Sequence, residues 1–285
     1  MKLVLRKARP EDAGLLGDIC YRAFDTLAQA HGFVPDFPDA NAAAGMMTGL
    51  IAHDGFFSVV AELGGRIVGS NFMDERGAIC GIGPITVDPS MQNDGAGRAL
   101  MRATLERAQE RQAPGIRLVQ AGYHNRSLAL YLKLGFDARE QLACVKGPAI
   151  RKVVAGYPVR PATPQDVAAC DELCLRVHGH ARSGEVADAV AAGTARVVER
   201  LGRMSGYMTV PGFSGHAVAE SNDDLMALLA AAESIQGAGV LVPTRNSDLL
   251  RWCLAQELKI TQTMTLMTIG LYNAANGAWL PSILY

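Results

Sequence analysis

The sequence has no surplus of charge: 27 lysines and arginines face 28 acids, a net charge of −1. Without a basic excess there is no electrostatic footprint for nucleic acid or an anionic membrane surface, which leaves a small molecule as the expected partner. The six cysteines, Cys20, Cys80, Cys144, Cys170, Cys174 and Cys253, lack metal-ligand spacing, and MKLVLRKA opens the chain without an apolar run of signal-peptide kind. A cytoplasmic protein with reduced thiols and no metal is expected. Cys170 and Cys174 stand four apart on a predicted helix, but they share an apolar strip with Val167, Leu173 and Val177 and read as core. What is plentiful is apolar material, 49% of 285 residues, enough for two domains. Their expected bounds are 1–150 and 151–285.

The first half centres on residues 81–106, GIGPITVDPSMQNDGAGRALMRATLE. An apolar run over 82–87 predicts a buried strand, Asp88-Pro89-Ser90 its exit, Gln92, Asn93, Asp94, Gly95, Ala96 and Gly97 a tight loop, and Arg98 onward an amphipathic helix. The first turn of such a helix leaves N–H groups without partners at the positive end of the macrodipole, and glycines let a ligand approach. A pyrophosphate suits that cradle. A Walker loop is absent, since Gly97 is followed by Arg98-Ala99 rather than Lys-Ser/Thr. So is a Rossmann fingerprint, which would directly follow a first strand.

The spacing Gln92-x-x-Gly95-x-Gly97 resembles the Gln/Arg-x-x-Gly-x-Gly/Ala signature of the GCN5-related N-acetyltransferase family. A second segment, His124-Asn125-Arg126-Ser127-Leu128-Ala129-Leu130-Tyr131-Leu132-Lys133-Leu134-Gly135-Phe136, is similar to that family's Asn-x-x-Ala/Ser-x-x-Leu-Tyr-x-Lys-x-Gly-Phe. The family asparagine stands seven residues before the tyrosine. Here His124 holds that place and Asn125 follows it, so either can face the cofactor. Asn125 and Ser127 can also cap the helix. The resemblance implies an α/β (α+β) acetyltransferase fold, a mixed central sheet flanked by helices, with acetyl-CoA as co-substrate. Acetyl-CoA would lie along Ile85, Thr86 and Val87 and against the loop from Gln92 to Arg98. Tyr131 would protonate the departing thiolate. The loop at 31–39, HGFVPDFPD, would wall the acceptor site. No base is evident: the central strand carries no carboxylate, Asp74, Glu75 and Asp88 read as solvated strand ends, and His31, Asp36 and His124 are loose candidates.

The second half is a disguised repeat. Residues 159–166, VRPATPQD, align with 5–12, LRKARPED, at an offset of 154, which also sets Cys174 on Cys20. Asn246 to Trp252 echoes Asn125 to Tyr131 at an offset of 121. Where the first half has its cradle, the second has Glu220, Asp223 and Asp224 and no glycine pair, carboxylates that would repel phosphate. The expectation is a degenerate copy that keeps the fold without the cofactor. The arginines Arg182, Arg196, Arg200 and Arg203, balanced by Glu185, Asp188 and Glu199, read as a solvated helix face. The apolar tail at 277–285 must dock, on the other half or on a second chain as a homodimer.

The expected activity is transfer of an acetyl group from acetyl-CoA to a primary amine of a small molecule. A non-catalytic CoA-binding or scaffold protein is the alternative, and another donor such as succinyl-CoA is a third reading.

Overall fold

The computed structural model describes residues 2–92 and 95–285, so Asn93 and Asp94 lie outside the described residues. The first half runs β1 (Leu3–Arg6), α1 (Ala13–His31), α2 (Ala40–Ala52), β2 (Phe56–Leu63), β3 (Arg66–Asp74), β4 (Ile79–Ile82), β5 (Thr86–Val87), α3 (Ala96–Glu110), β6 (Gly115–Ala121), α4 (Asn125–Lys133) and β7 (Asp137–Lys146). The second repeats the order: β8 (Val159–Pro161), α5 (Val167–His178), α6 (Ser183–Ala191), β9 (Arg196–Arg200), β10 (Arg203–Met208), β11 (Ala217–Ala219), α7 (Asn222–Ala230), β12 (Val240–Pro243), α8 (Ser247–Ala255) and β13 (Lys259–Gly270). A last strand, β14 (Ala278–Leu280), has no counterpart among the described residues of the first half. The run expected as one strand over 82–87 is two, because Pro84 has no N–H with which to continue a ladder.

The repeat extends to side chains. Arg6 bridges Asp12 and Glu62, each at 2.7 Å, and Arg160 bridges Asp166 and Glu199 at 2.8 and 2.7 Å. The offset of 154 therefore marks structurally equivalent positions. The offset of 121 does not. His124 and Asn246 are the two N-cap residues, with φ/ψ of −90/73 and −84/64. After each helix, Phe136 N–H donates to Tyr131 O and Leu258 N–H to Cys253 O. The offset is 122, so the counterpart of Tyr131 is the buried Cys253 and not Trp252.

The boundary near residue 150 divides the chain but not the sheets. Among the described residues one sheet has the order β1-β2-β3-β4-β6-β13-β7-β12, with β5 paired to β3, and a five-stranded sheet has the order β14-β11-β10-β9-β8. Thus β13, from the second half, lies between β6 and β7 of the first, antiparallel to both (Met267 opposite Leu118, Thr265 opposite Gln141). β12 in turn pairs β7. On one face of the large sheet Met101 of α3 and Tyr131 of α4 pack on Cys80, Ile82, Leu118 and Met267; on the other, Leu16 and Cys20 of α1 and Met47 of α2 pack on Val60 and Phe72. No described helix is long and apolar enough to cross a membrane.

The tail docks within the chain. A Cβ on Gly81 would collide with the Leu284 carbonyl, so the strand and the tail meet backbone to backbone. Tyr285 is buried and its ring lies under the Arg117 and Arg182 guanidinium groups. Arg182 is itself buried, held by Glu185 at 2.7 Å, and Asp188 pairs with Arg76 at 2.7 Å. These groups sit between the halves rather than on a solvated helix face, a place that sequence distance hides.

Candidate active site

β4 pairs β6 in parallel over only three residues, Ile79–Gly81 against Gly115–Arg117. Beyond Gly83-Pro84 the chain turns away, and Thr86 and Val87 pair with Ser70 and Gly69 of β3. A gap opens between β5 and the end of β6, and on that side Ile85, Thr86 and Val87 have no described strand to pair with. A ligand carrying amides can complete such an edge. At the mouth of the gap α3 begins at Ala96 after Gly95, which has φ 82° and offers no side chain to cap the helix. Only glycine adopts that backbone readily. Gly97 follows a different logic: a Cβ there would meet nothing closer than Val87 Cγ2 at 3.7 Å, so the protein has room for a side chain that a ligand over the helix would not. Arg98 is exposed, and Gln92, also exposed, accepts a hydrogen bond from Arg126 Nη1 at 2.7 Å, tying the loop to α4.

Tyr131 lies behind the gap, 6% exposed, its ring edge-on to Phe136 at 6.0 Å. Burial pushes its phenol up to about 12, opposed by a hydrogen bond with Ser127. It therefore holds its proton at neutral pH, as a general acid must. His124 is half-buried and Asn125 exposed; Ser127 Oγ and His124 Nδ1 are 2.8 Å apart. Neither Asn125 nor Ser127 is the cap expected from sequence, since the chain turns into the helix at His124. Burial and then the Arg126 charge hold the imidazole pKa below its ordinary value.

The acids at the strand ends are not solvated. Asp74 is paired with Arg76, Glu75 with Arg107 at 2.7 Å and Arg111 at 3.3 Å, and Asp88 with Arg22 at 3.3 Å and Arg66 at 3.4 Å. Their charges are engaged, which withdraws them as bases. Of the loose candidates Asp36 alone is a carboxylate without a described cationic neighbour, and desolvation raises its pKa. Its neighbours Tyr123 and Gln262 carry no motif in the sequence; Gln262 arrives on the exchanged strand β13, and no local pattern marks it.

The second half fills the equivalent space. α7 starts at Asn222 with Ser221 and Asp224 in a reciprocal capping box, and the buried Asp224 also accepts from Ser205 Oγ at 2.5 Å. Those donors have partners. Beside β11, where β6 would stand relative to β4, lies β14, antiparallel with Val218 opposite Trp279. The carboxylates there act differently from the expectation: Glu220 is neutralised by Arg200 and Arg203 and Asp224 serves as a cap, so what is missing is the loop and the gap, not an attractive charge. Cys170 and Cys174 are buried core thiols, and among the described residues no group of three or more potential ligands could hold a metal.

Residues 22–136 match the sequence family described as Acetyltransferase (GNAT) family. No curated protein matches the chain. Among solved structures, an acetyltransferase-class protein of Pyrococcus horikoshii superposes with a TM-score of 0.73 at 21% identity, over 97% of this chain and 94% of its own. A GCN5-related N-acetyltransferase of Sphaerobacter thermophilus gives 0.62 at 13% identity, over 95% and 96%. A tandem GNAT protein from the clavulanic acid biosynthesis pathway gives 0.56 at 13% identity, over 94% and 98%. These likenesses are of fold, and they span both halves.

Proposed function

We propose that the chain, whose residues 22–136 match the GNAT acetyltransferase family, moves the acetyl group of acetyl-CoA to a primary amine of a small molecule and binds one cofactor. The observation that carries this is the start of α3, which has no side-chain cap among the described residues, at the mouth of a strand gap with a protonated tyrosine behind it. In this reading Ala96, Gly97 and Arg98 offer N–H groups to the pyrophosphate, aided by Gln92 and Gly95, while the expected contacts of Asn93 and Asp94 lie outside the described residues. Ile85, Thr86 and Val87 pair with the pantetheine amides. His124, with Ser127, lines the arm where the family asparagine would, and the exposed Asn125 faces water.

The amine nitrogen bonds to the acetyl carbon, the carbon–sulfur bond breaks, and Tyr131 gives its proton to the sulfur. Solvent restores the phenol, and the nitrogen gives up its surplus protons, for a net release of one. Six thiols without a disulfide fit a cytoplasmic setting, and no metal, nucleic acid or membrane enters the reading. Free thiol release from acetyl-CoA across an amine panel, with calorimetric titration of CoA, tests it. Binding without release for any amine favours a non-catalytic CoA-binding protein. No binding refutes both readings.

A further inference from the structure

Asp36 lies in the loop between α1 and α2 and is brought against four separate stretches of chain. Gln262 of β13 donates from Nε2 to Asp36 Oδ1 at 3.4 Å and accepts from the Tyr123 hydroxyl at 3.2 Å. The Tyr123 ring stacks on Phe33 at 4.4 Å and 22°, and His31 leans on it at 4.9 Å. Phe37 holds the loop down against Phe24 of α1 at 6.0 Å. The Asp36 charge acts on Cys20 of α1, on Tyr123 beyond β6 and on Cys144 of β7. The carboxylate therefore bridges from α1 across to the exchanged strands, over the side of the sheet opposite Tyr131.

Among the described residues the titratable groups on which its charge acts (Cys20, Tyr123, Cys144) are neutral at pH 7, and His31 lies against the Tyr123 ring. No described cation answers the carboxylate, and its one weak hydrogen bond does not offset desolvation, which raises its pKa. An unpaired, partly buried carboxylate is costly and is retained where it has a charge to meet. We infer that the acceptor is a cationic amine carrying a flat apolar group: Asp36, steadied by Gln262, receives the ammonium, and the Phe33–Tyr123 stack receives the flat body. This rests on the acetyl-transfer reading and specifies its acceptor. Asp36 takes one proton from the ammonium, leaving the nitrogen lone pair free to attack. The second half thus contributes Gln262 to the acceptor site.

The experiment uses the full chain with phenethylamine, ethylamine and glycine as acceptors, and the variants Asp36→Asn and Phe33→Ala. The wild type should prefer phenethylamine over ethylamine about tenfold in kcat/KM, the worth of one aromatic contact, and Phe33→Ala should erase the preference. Asp36→Asn should lower kcat/KM for phenethylamine about 100-fold at pH 7. Its activity should recover as pH rises toward the amine's own pKa, a rescue that a packing role would not give. CoA affinity and Tm should hold. Acetylation of these amines with an unaffected Asp36→Asn, or a preference for glycine, overturns the inference and leaves acetyl transfer standing. Thiol release with no amine at all overturns both.

Discussion

The two halves share an acid clamp and diverge immediately after it. Asp88, whose N–H donates to Val68 O at 2.8 Å, is gripped by Arg22 and Arg66; Glu220, whose N–H donates to Ser205 O at 2.9 Å, is gripped by Arg176 at 3.6 Å and Arg203 at 2.6 Å. Arg176 stands at Arg22 plus 154, and Arg203 at Arg66 plus 137. From that common point α3 starts eight residues on, at Ala96, whereas α7 starts two residues on, at Asn222. Six additional residues of chain separate a helix start without a side-chain cap among the described residues from one whose N–H groups are engaged by Ser221 and Asp224. A fold can thus be kept through its strand ladders and ion pairs while a site is lost with one turn of chain.

The harshest way to break the comparison is to separate the halves. A chain ending at Gly147 lacks β13, and β6 and β7 lose the ladder that joins them. We expect no cooperative unfolding transition and aggregation from the exposed edges, read by calorimetry and light scattering; a folded, CoA-binding fragment would show that the exchange is dispensable.

Next is stoichiometry. Titration should give one CoA per chain, and Gly95→Glu with Gly97→Val should abolish it, since the first change puts a side chain at φ 82° and a carboxylate at the helix start. Any second site surviving in the variant would show that β14 does not close the second half.

The chemistry should divide the same way. Tyr131→Phe is expected to slow transfer about 10²-fold to 10⁴-fold with CoA affinity kept, measured where chemistry limits the rate. Cys253→Ala, at the equivalent position, should leave turnover unchanged and cost about 1–2 kcal/mol of stability through the lost core contact. Equal kinetic effects would make both positions packing sites.

The smallest effect is acid sensitivity. Hydrogen bonds from Arg203 and Arg200 hold Glu220 down to about 2, below its unfolded value, so its contribution is full above that unfolded value and fades as pH falls from about 4.5 toward 2. Glu220→Gln should cost about 1 kcal/mol at pH 7 and little at pH 2 in denaturant titrations. A loss independent of pH would assign the effect to packing.

Local sequence determined the parts. Glycine and proline placement, apolar periodicity and the spacing from Gln92 to Gly97 mark the loop, the helices and Tyr131, because these depend on neighbours within a turn or two of the chain. The repeat was legible wherever a motif carried its own geometry, as in Arg160 to Asp166. Tertiary structure decided the rest. Whether α8 is equivalent to α4 at 121 or 122 depends on which residue takes the N-cap backbone, and the identities around Asn125 and Asn246 point the wrong way. The exchange of β13, the filling of the second gap by β14, the burial of Arg182 and the meeting of Asp36 with Gln262, 226 residues away, are pairings between distant segments. A strand's pattern states that one face is buried, and it carries no information on which neighbour its edge will choose.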